Sequence, residues 1–384
     1  MERKKILIIG MLDSIHLARW LKQFKNTPVD FFLMPSKKFR KIHPELKKLL
    51  IGNENAEFYL VKPFIGLEMV GYIDFLISKI GTFFGLNHRV VILKQLLSKQ
   101  RFDFVHALEI QGAGYLYSEM PDLVRSKNQL ILTNWGSDIY FFGNDVTHNK
   151  KISKVISQAA FYSAECVRDY KLLDNYTFSG VKLPCIPNGG GFSGAELNSF
   201  RSITSSRTTI LCKGYGGLFG QANLAIPGIK SALDKFSNMS AYFYSVTPDL
   251  EESIIELRRK YKDRVKYTTV SKPISRKKLL SLFGTARVYI GCSKSDAIST
   301  SFLEALVYGA YPIQTNTSCV DEWISIGAHA TLVKLDIDEI AMAIAKSLVD
   351  DDLVDNAQTF NLIVAKKYCH EDNIQKEAFK FYGL

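Results

Sequence analysis

The chain has 384 residues, 47% hydrophobic and 23% charged, with a net charge of +11 at neutral pH. A single core rarely grows beyond ~250 residues, so two domains are expected, and the mixed composition excludes a disordered chain or a fibrous repeat. Cys166, Cys185, Cys212, Cys292, Cys319 and Cys369 lie far apart with no C-x-x-C pair. That spacing argues against a zinc site or a disulfide scaffold and for a reducing, cytoplasmic setting.

Short apolar runs rich in β-branched residues alternate with amphipathic segments, the pattern of parallel βαβ units. Residues 6–9 predict a buried strand, too short an apolar run for a signal peptide, followed by a turn at Gly10 and a helix over 14–24. Residues 29–33 predict the next strand. The basic cluster Lys37-Lys38-Phe39-Arg40-Lys41, continued by Lys47-Lys48, can attract anionic lipid headgroups, sugar phosphates or nucleic acid; its plain alternative is a solvated helix face. No nucleic-acid motif accompanies it, so nucleic acid is not an expected partner. The apolar stretch 64–86 contains Glu68, Asp74 and Lys79 and so fails as a bilayer span. Within it Phe64, Leu67, Phe75, Phe83 and Phe84 can line an apolar surface for a lipid-linked ligand or pack in the domain core. Strands follow over 102–106 and 130–133, and this half reads as a doubly wound sheet.

The rhythm breaks at Ile186-Pro187-Asn188-Gly189-Gly190-Gly191-Phe192 and the polar run 202–209, a hinge by composition. It restarts with strands over 209–212, 241–246, 265–269, 288–290 and 311–313, a second α/β domain. After the 288–290 strand comes Ser293-Lys294-Ser295-Asp296-Ala297-Ile298-Ser299-Thr300-Ser301-Phe302-Leu303-Glu304-Ala305-Leu306-Val307-Tyr308-Gly309. Ser299 or Thr300 is placed to cap a helix ending at Gly309, whose first turn offers N–H groups and positive dipole charge to a diphosphate. Asp336-Ile337-Asp338 has a metal-binding D-x-D form, but Asp338 there serves as a helix cap, and Asp350-Asp351-Asp352 reads as a solvated loop, so no metal site is expected.

The 293–313 segment resembles the donor-site motif of retaining family 4 glycosyltransferases. In that motif an acidic residue, seven intervening residues and a glutamate lead into a small-residue helix, a glycine and a proline-bearing strand. Here the pair is Asp296 and Glu304, and the strand begins Tyr311-Pro312-Ile313. Cys319-Val320-Asp321-Glu322-Trp323-Ile324 with Gly327, Lys213-Gly214-Tyr215, the 103–106 strand, Asn134-Trp135-Gly136-Ser137-Asp138 and Pro187-Asn188 also fall in the family's order.

The resemblance implies the GT-B fold, two doubly wound Rossmann-like α/β domains facing a cleft. They are an acceptor-side domain over 1–190, a hinge over 191–206 and a nucleotide-sugar-binding domain over 207–369, with helix 370–384 packing back on the first. It implies transfer from a nucleotide-diphosphate sugar, UDP-sugar before GDP-sugar, to a saccharide or lipid-linked saccharide with retention, in bacterial surface polysaccharide synthesis. No cofactor and no metal are expected, and the location is cytoplasmic, peripheral at an anionic membrane face. Lys213, Asp296 and Asp138 are the expected catalytic groups. Gly214, Ser299, Thr300 and Glu304 bind the donor, Glu304 at the ribose hydroxyls and Asp296 at a sugar hydroxyl. Ser14, His16, His106 and Glu109 are acceptor or diphosphate candidates, with a core place open for His106 and a local turn role open for Asp138.

Two departures stand out. The second base near the donor diphosphate is missing, leaving Arg207 and Lys272 as substitutes, and Trp135 stands where the family often carries a histidine. Alternative readings are a nucleotide-sugar epimerase or a phosphorylase of the same fold, or a non-catalytic nucleotide-sugar-binding protein.

Overall fold

The computed structural model describes residues 3–51, 58–61, 76–77, 79 and 87–384. The expectations for Phe64, Leu67, Phe75, Phe83 and Phe84 lie outside them. Two compact units result, Met1–Gly190 with Ile374–Leu384, and Gly191–Asn373.

In the first unit, seven parallel strands run β3-β2-β1-β4-β5-β6-β7. They are β1 (Lys4–Gly10), β2 (Val29–Pro35), β3 (Phe58–Leu60), β4 (Phe104–Leu108), β5 (Gln129–Asn134), β6 (Phe161–Ala164) and β7 (Val181–Lys182). Ile6, Leu7, Ile8 and Ile9 are all buried because both faces of this sheet are covered, which is why the strand reads as an unbroken apolar run. Helix Ile15–Lys22 starts at Ser14, whose Oγ accepts the His16 N–H at 3.1 Å. It turns Leu17, Ala18, Trp20 and Leu21 inward. The end of the chain shares that core: Ile374, Ala378, Phe381 and Tyr382 pack with Trp20, Phe24 and Phe31.

In the second unit, six parallel strands run β10-β9-β8-β11-β12-β13. They are β8 (Thr209–Lys213), β9 (Ser240–Val246), β10 (Val265–Thr269), β11 (Ala286–Gly291), β12 (Tyr311–Thr315) and β13 (Thr331–Val333). Each unit is thus a doubly wound α/β sheet, as the sequence predicts. The order of connection reverses between β1 and β4 in one sheet and between β8 and β11 in the other. Ligands of such sheets bind beyond the strand C-termini at that reversal.

Residues 191–206, expected as a hinge, are tied into the second unit. Phe192 N–H donates to the Cys369 carbonyl at 2.8 Å, Ser193 and Glu196 form a capping box, and Thr204 Oγ1 donates to the Gly309 carbonyl at 2.7 Å. Two acidic assignments also change. Asp336, not Asp338, caps helix Ile337–Val349, because its Oδ1 accepts the N–H groups of Asp338 and Glu339 at 3.0 and 2.9 Å. Asp350 is a cap rather than a loop residue, and Asp351 pairs with the buried Arg287 at 2.7 Å. Among the described residues no helix is long and apolar enough to cross a membrane.

Candidate functional site

The reversal in the second sheet places Lys213, Asp296, Ser299 and Thr300 at or beyond the C-terminal ends of two neighbouring strands. Lys213 is the last residue of β8, and the segment after neighbouring β11 leads to helix Thr300–Tyr308. Ser299 is its N-cap, but the side chain makes no capping hydrogen bond, so it does not take up the N–H groups of the first turn. Gly309 ends the helix at φ +79°, a left-handed conformation that glycine adopts without penalty. Lys213 Nζ lies 4.6 Å from the centre of the Tyr215 ring, which holds the ammonium by its π face. Asp296 is half-buried on the connection between β11 and the helix, and Thr300 is half-buried at the helix start.

Gly214 contributes space rather than a donor. Its N–H is committed to the Tyr244 carbonyl at 2.8 Å, and a side chain there would meet Val246 Cγ2 at 2.7 Å. Glycine at this position lets the end of β8 lie against β9.

Glu304 is 3% exposed, and its Oε1 accepts from Arg276 Nη1 at 2.7 Å. Arg276 is the first residue of helix Arg276–Thr285, is more than a third exposed, and lies 3.8 Å from Glu196 Oε1 as well. An ion pair of this kind offsets the desolvation of the buried carboxylate. Sequence reasoning missed Arg276, since no periodicity links positions 28 residues apart. Of the two bases it offered instead, Arg207 is committed elsewhere. Arg207 is buried with its guanidinium donating to the carbonyls of Ser202, Ala286 and Tyr308, and burial pushes its pKa down to about 10. Lys272 lies exposed after β10.

In the first unit the candidates divide. His106 is a core residue and not an acceptor contact. It is fully buried, with Nδ1 2.7 Å from the Tyr382 hydroxyl and Nε2 2.6 Å from Thr133 Oγ1. Trp20 Nε1–H donates to the same tyrosine oxygen at 3.0 Å, and Thr133 Oγ1 pairs with Ser163 Oγ at 2.6 Å. Burial pushes the His106 pKa down to about 3 and keeps the ring neutral.

Asp138 is likewise committed to the backbone. Its Oδ2 accepts the N–H groups of Ile110 and Trp135 at 2.8 and 3.0 Å, and burial with Glu109 nearby raises its pKa well above the carboxylate range. Glu109 sits at φ +136° and ψ 151°, a conformation rarely adopted outside glycine. Its carboxylate holds the strained turn by accepting the N–H groups of Gly112 and Ala113 at 2.8 and 3.0 Å. A side chain at Gly112 would meet Glu109 Oε1 at 2.3 Å. Ser14 and His16 remain half-buried beyond β1, with the His16 ring edge-on to Trp135 at 5.6 Å between centroids.

Residues 78–168, most of the segment that carries these first-unit groups, match the family model described as glycosyl transferase 4-like. Solved structures resemble the whole chain. One is Anabaena Alr3699/HepE in complex with UDP and glucose, at TM-score 0.71 and 12% identity over 99% of this chain and 100% of that one. The fold is GT-B. Sucrose-phosphate synthase from Thermosynechococcus elongatus aligns at TM-score 0.68 and 14% identity over 99% and 98%, and TarM at 0.69 and 8% over 99% of both. No curated protein matches the sequence.

Proposed function

We propose that this GT-B chain is a glycosyltransferase that takes a sugar from a nucleotide-diphosphate donor, held at the β8/β11 reversal of its second unit. The observation that carries this reading is the grouping at the C-terminal ends of two neighbouring strands. Lys213 ends β8, and the segment after neighbouring β11 carries Asp296 and then a helix whose N-cap side chain leaves the first turn uncapped. Glu304, held by Arg276, lies in the second turn of that helix. As the sugar leaves, negative charge grows on the diphosphate. A lysine and oriented N–H groups stabilise that charge more in the transition state than in the ground state. Glu304, with Arg276 on one oxygen, accepts from the ribose hydroxyls, and Asp296 from a hydroxyl of the sugar. UDP is the favoured leaving group, in line with the UDP, UDP-glucose and glucose named in structures of the HepE protein.

Transfer with retention, and a saccharide or lipid-linked saccharide acceptor of bacterial surface polysaccharide, complete the reading. The exposed Lys37, Lys38, Arg40 and Lys41 then serve as the contact with an anionic membrane. Because protein groups neutralise the diphosphate, the reaction needs no metal ion. The test is donor turnover with and without EDTA in the parent and in Lys213→Ala. Turnover unchanged by EDTA and lowered about 10²–10³-fold by the substitution is expected, the loss typical for one transition-state donor. Loss in EDTA with recovery on manganese overturns the metal-free assignment, and no response to Lys213→Ala overturns the donor site.

A further inference from the structure

Beyond β2 and β4, on either side of β1 in the first sheet, lies a cavity of about 480 Å³. Its floor includes Ser36, one residue past β2, and Gln111 and Gly112, from the strained turn that Glu109 holds. Its wall is helix Val146–Ile156, which contributes Lys150, Lys151 and Lys154. Three lysines face a single lining carboxylate, Glu119, which is exposed and 3.9 Å from Lys154. Lys151 Nζ lies 5.6 Å from the centre of the Tyr115 ring, and the Tyr115 hydroxyl is fixed by His148 Nδ1 at 3.0 Å.

Two further observations point to an anionic ligand. Ser36 is 5% exposed, and its hydroxyl, buried at the cavity, has no hydrogen-bond partner among the described residues. A buried hydroxyl in that state is an interaction left for something else to make. The chain then leaves Ser36 directly into Lys37-Lys38-Phe39-Arg40-Lys41, where buried Phe39 pins the segment and the four basic residues are exposed. The cavity is thus lined by basic residues of helix Val146–Ile156 and by Ser36, which directly precedes a second basic segment.

We propose that this cavity binds a phosphate-bearing ligand, and that the acceptor is therefore a phosphorylated saccharide, either a free sugar phosphate or a saccharide on a lipid diphosphate. The word acceptor rests on the glycosyltransferase reading; the anion site does not. Ammonium groups on flexible stems bind phosphate as point charges, and the hydroxyl of Ser36 complements them with a directional hydrogen bond.

Isothermal titration of glucose 6-phosphate, citronellyl diphosphate and glucose decides it, run on the parent and on the combined variant Lys150→Gln, Lys151→Gln, Lys154→Gln. UDP is titrated alongside. At least one phosphorylated probe binds the parent, the variant binds it at least tenfold more weakly, and glucose gives no signal. Citronellyl diphosphate alone identifies the lipid-linked source, and glucose 6-phosphate alone the soluble one. All three lysines are exposed, so an unchanged melting temperature and unchanged UDP affinity show that the variant is folded. Absence of binding by both phosphorylated probes, or equal binding by parent and variant, overturns the site. Retained phosphate binding with no UDP binding by the parent breaks the glycosyltransferase reading and leaves the cavity assignment standing.

Discussion

The two units bury acids beyond the strand C-termini of similar sheets and hold them differently. In the first, Glu109 is taken up by backbone N–H groups of its own turn and Asp138 by those of Trp135 and of Ile110 in the neighbouring turn, while buried His106 is enclosed by side-chain hydroxyls. In the second, Glu304 is held by an arginine side chain that still reaches solvent. A backbone donor cannot move aside without unfolding a turn, whereas an arginine side chain can rotate. The same residue chemistry is therefore locked to the backbone in one sheet and held by a rotatable side chain in the other.

The largest way to break this contrast is through pH. His106 is neutral in the fold with a pKa near 3, against an ordinary value of 6.5, so the unfolded chain takes up a proton that the folded chain refuses. Its contribution is full above pH 6.5 and is lost as pH falls toward 3. At pH 4 the parent should have lost about 3 kcal/mol through this group relative to pH 7, at ~1.4 kcal/mol per pKa unit. His106→Gln should flatten that part of the pH profile of urea unfolding. Parallel profiles would mean that the ring is hydrated in the fold.

Asp138→Ala strands two backbone N–H groups and should cost about 2–4 kcal/mol, from the penalty for unsatisfied buried donors. Asp138→Asn keeps an acceptor oxygen in place. With the parent pKa raised by burial, the folded carboxyl resists ionisation above the ordinary carboxylate range, so Asn should equal or exceed the parent in stability at pH 7. A large activity loss in Asp138→Asn with normal unfolding would return Asp138 to the catalytic set.

Glu304→Gln sharpens the other side. It should weaken donor binding by about 1.5–3 kcal/mol, roughly 10- to 150-fold, while leaving unfolding nearly unchanged, because Arg276 can turn to water. Calorimetry with UDP measures the first quantity and denaturant titration the second. Tyr382→Phe removes the hydroxyl shared by Trp20 and His106, leaves two buried groups unpaired, and should cost about 2–4 kcal/mol in melting experiments with no change in UDP affinity.

Much of the fold is legible in the chain. The runs 209–212 and 311–313 fall inside β8 and β12, because strands buried on both faces show as apolar runs, whereas edge strand β10 coincides with 265–269 through its β-branched and aromatic residues. Short β3, β7 and β13 carry too few residues for a pattern, and β6 reads as half polar. Gly309 announced the end of helix Thr300–Tyr308, since only glycine fits there comfortably. At the sites, residue type and order pointed to Lys213, Asp296 and Glu304, yet could not reveal who satisfies each polar group. That depends on partners such as Arg276 for Glu304 and Tyr382 for His106, which no local spacing announces.

The seating of Tyr382 also sets a timetable. Lys4 Nζ donates to the Tyr382 and Gly383 carbonyls at 2.6 and 3.0 Å, and Trp20 to the Tyr382 hydroxyl, so the opening strand and helix are closed by residues synthesised some 360 positions later. Domains ordinarily fold in the order in which they leave the ribosome. Here the second unit can finish first, while the earlier-made sheet waits with Trp20, Phe24 and Phe31 uncovered until residues 374–384 emerge.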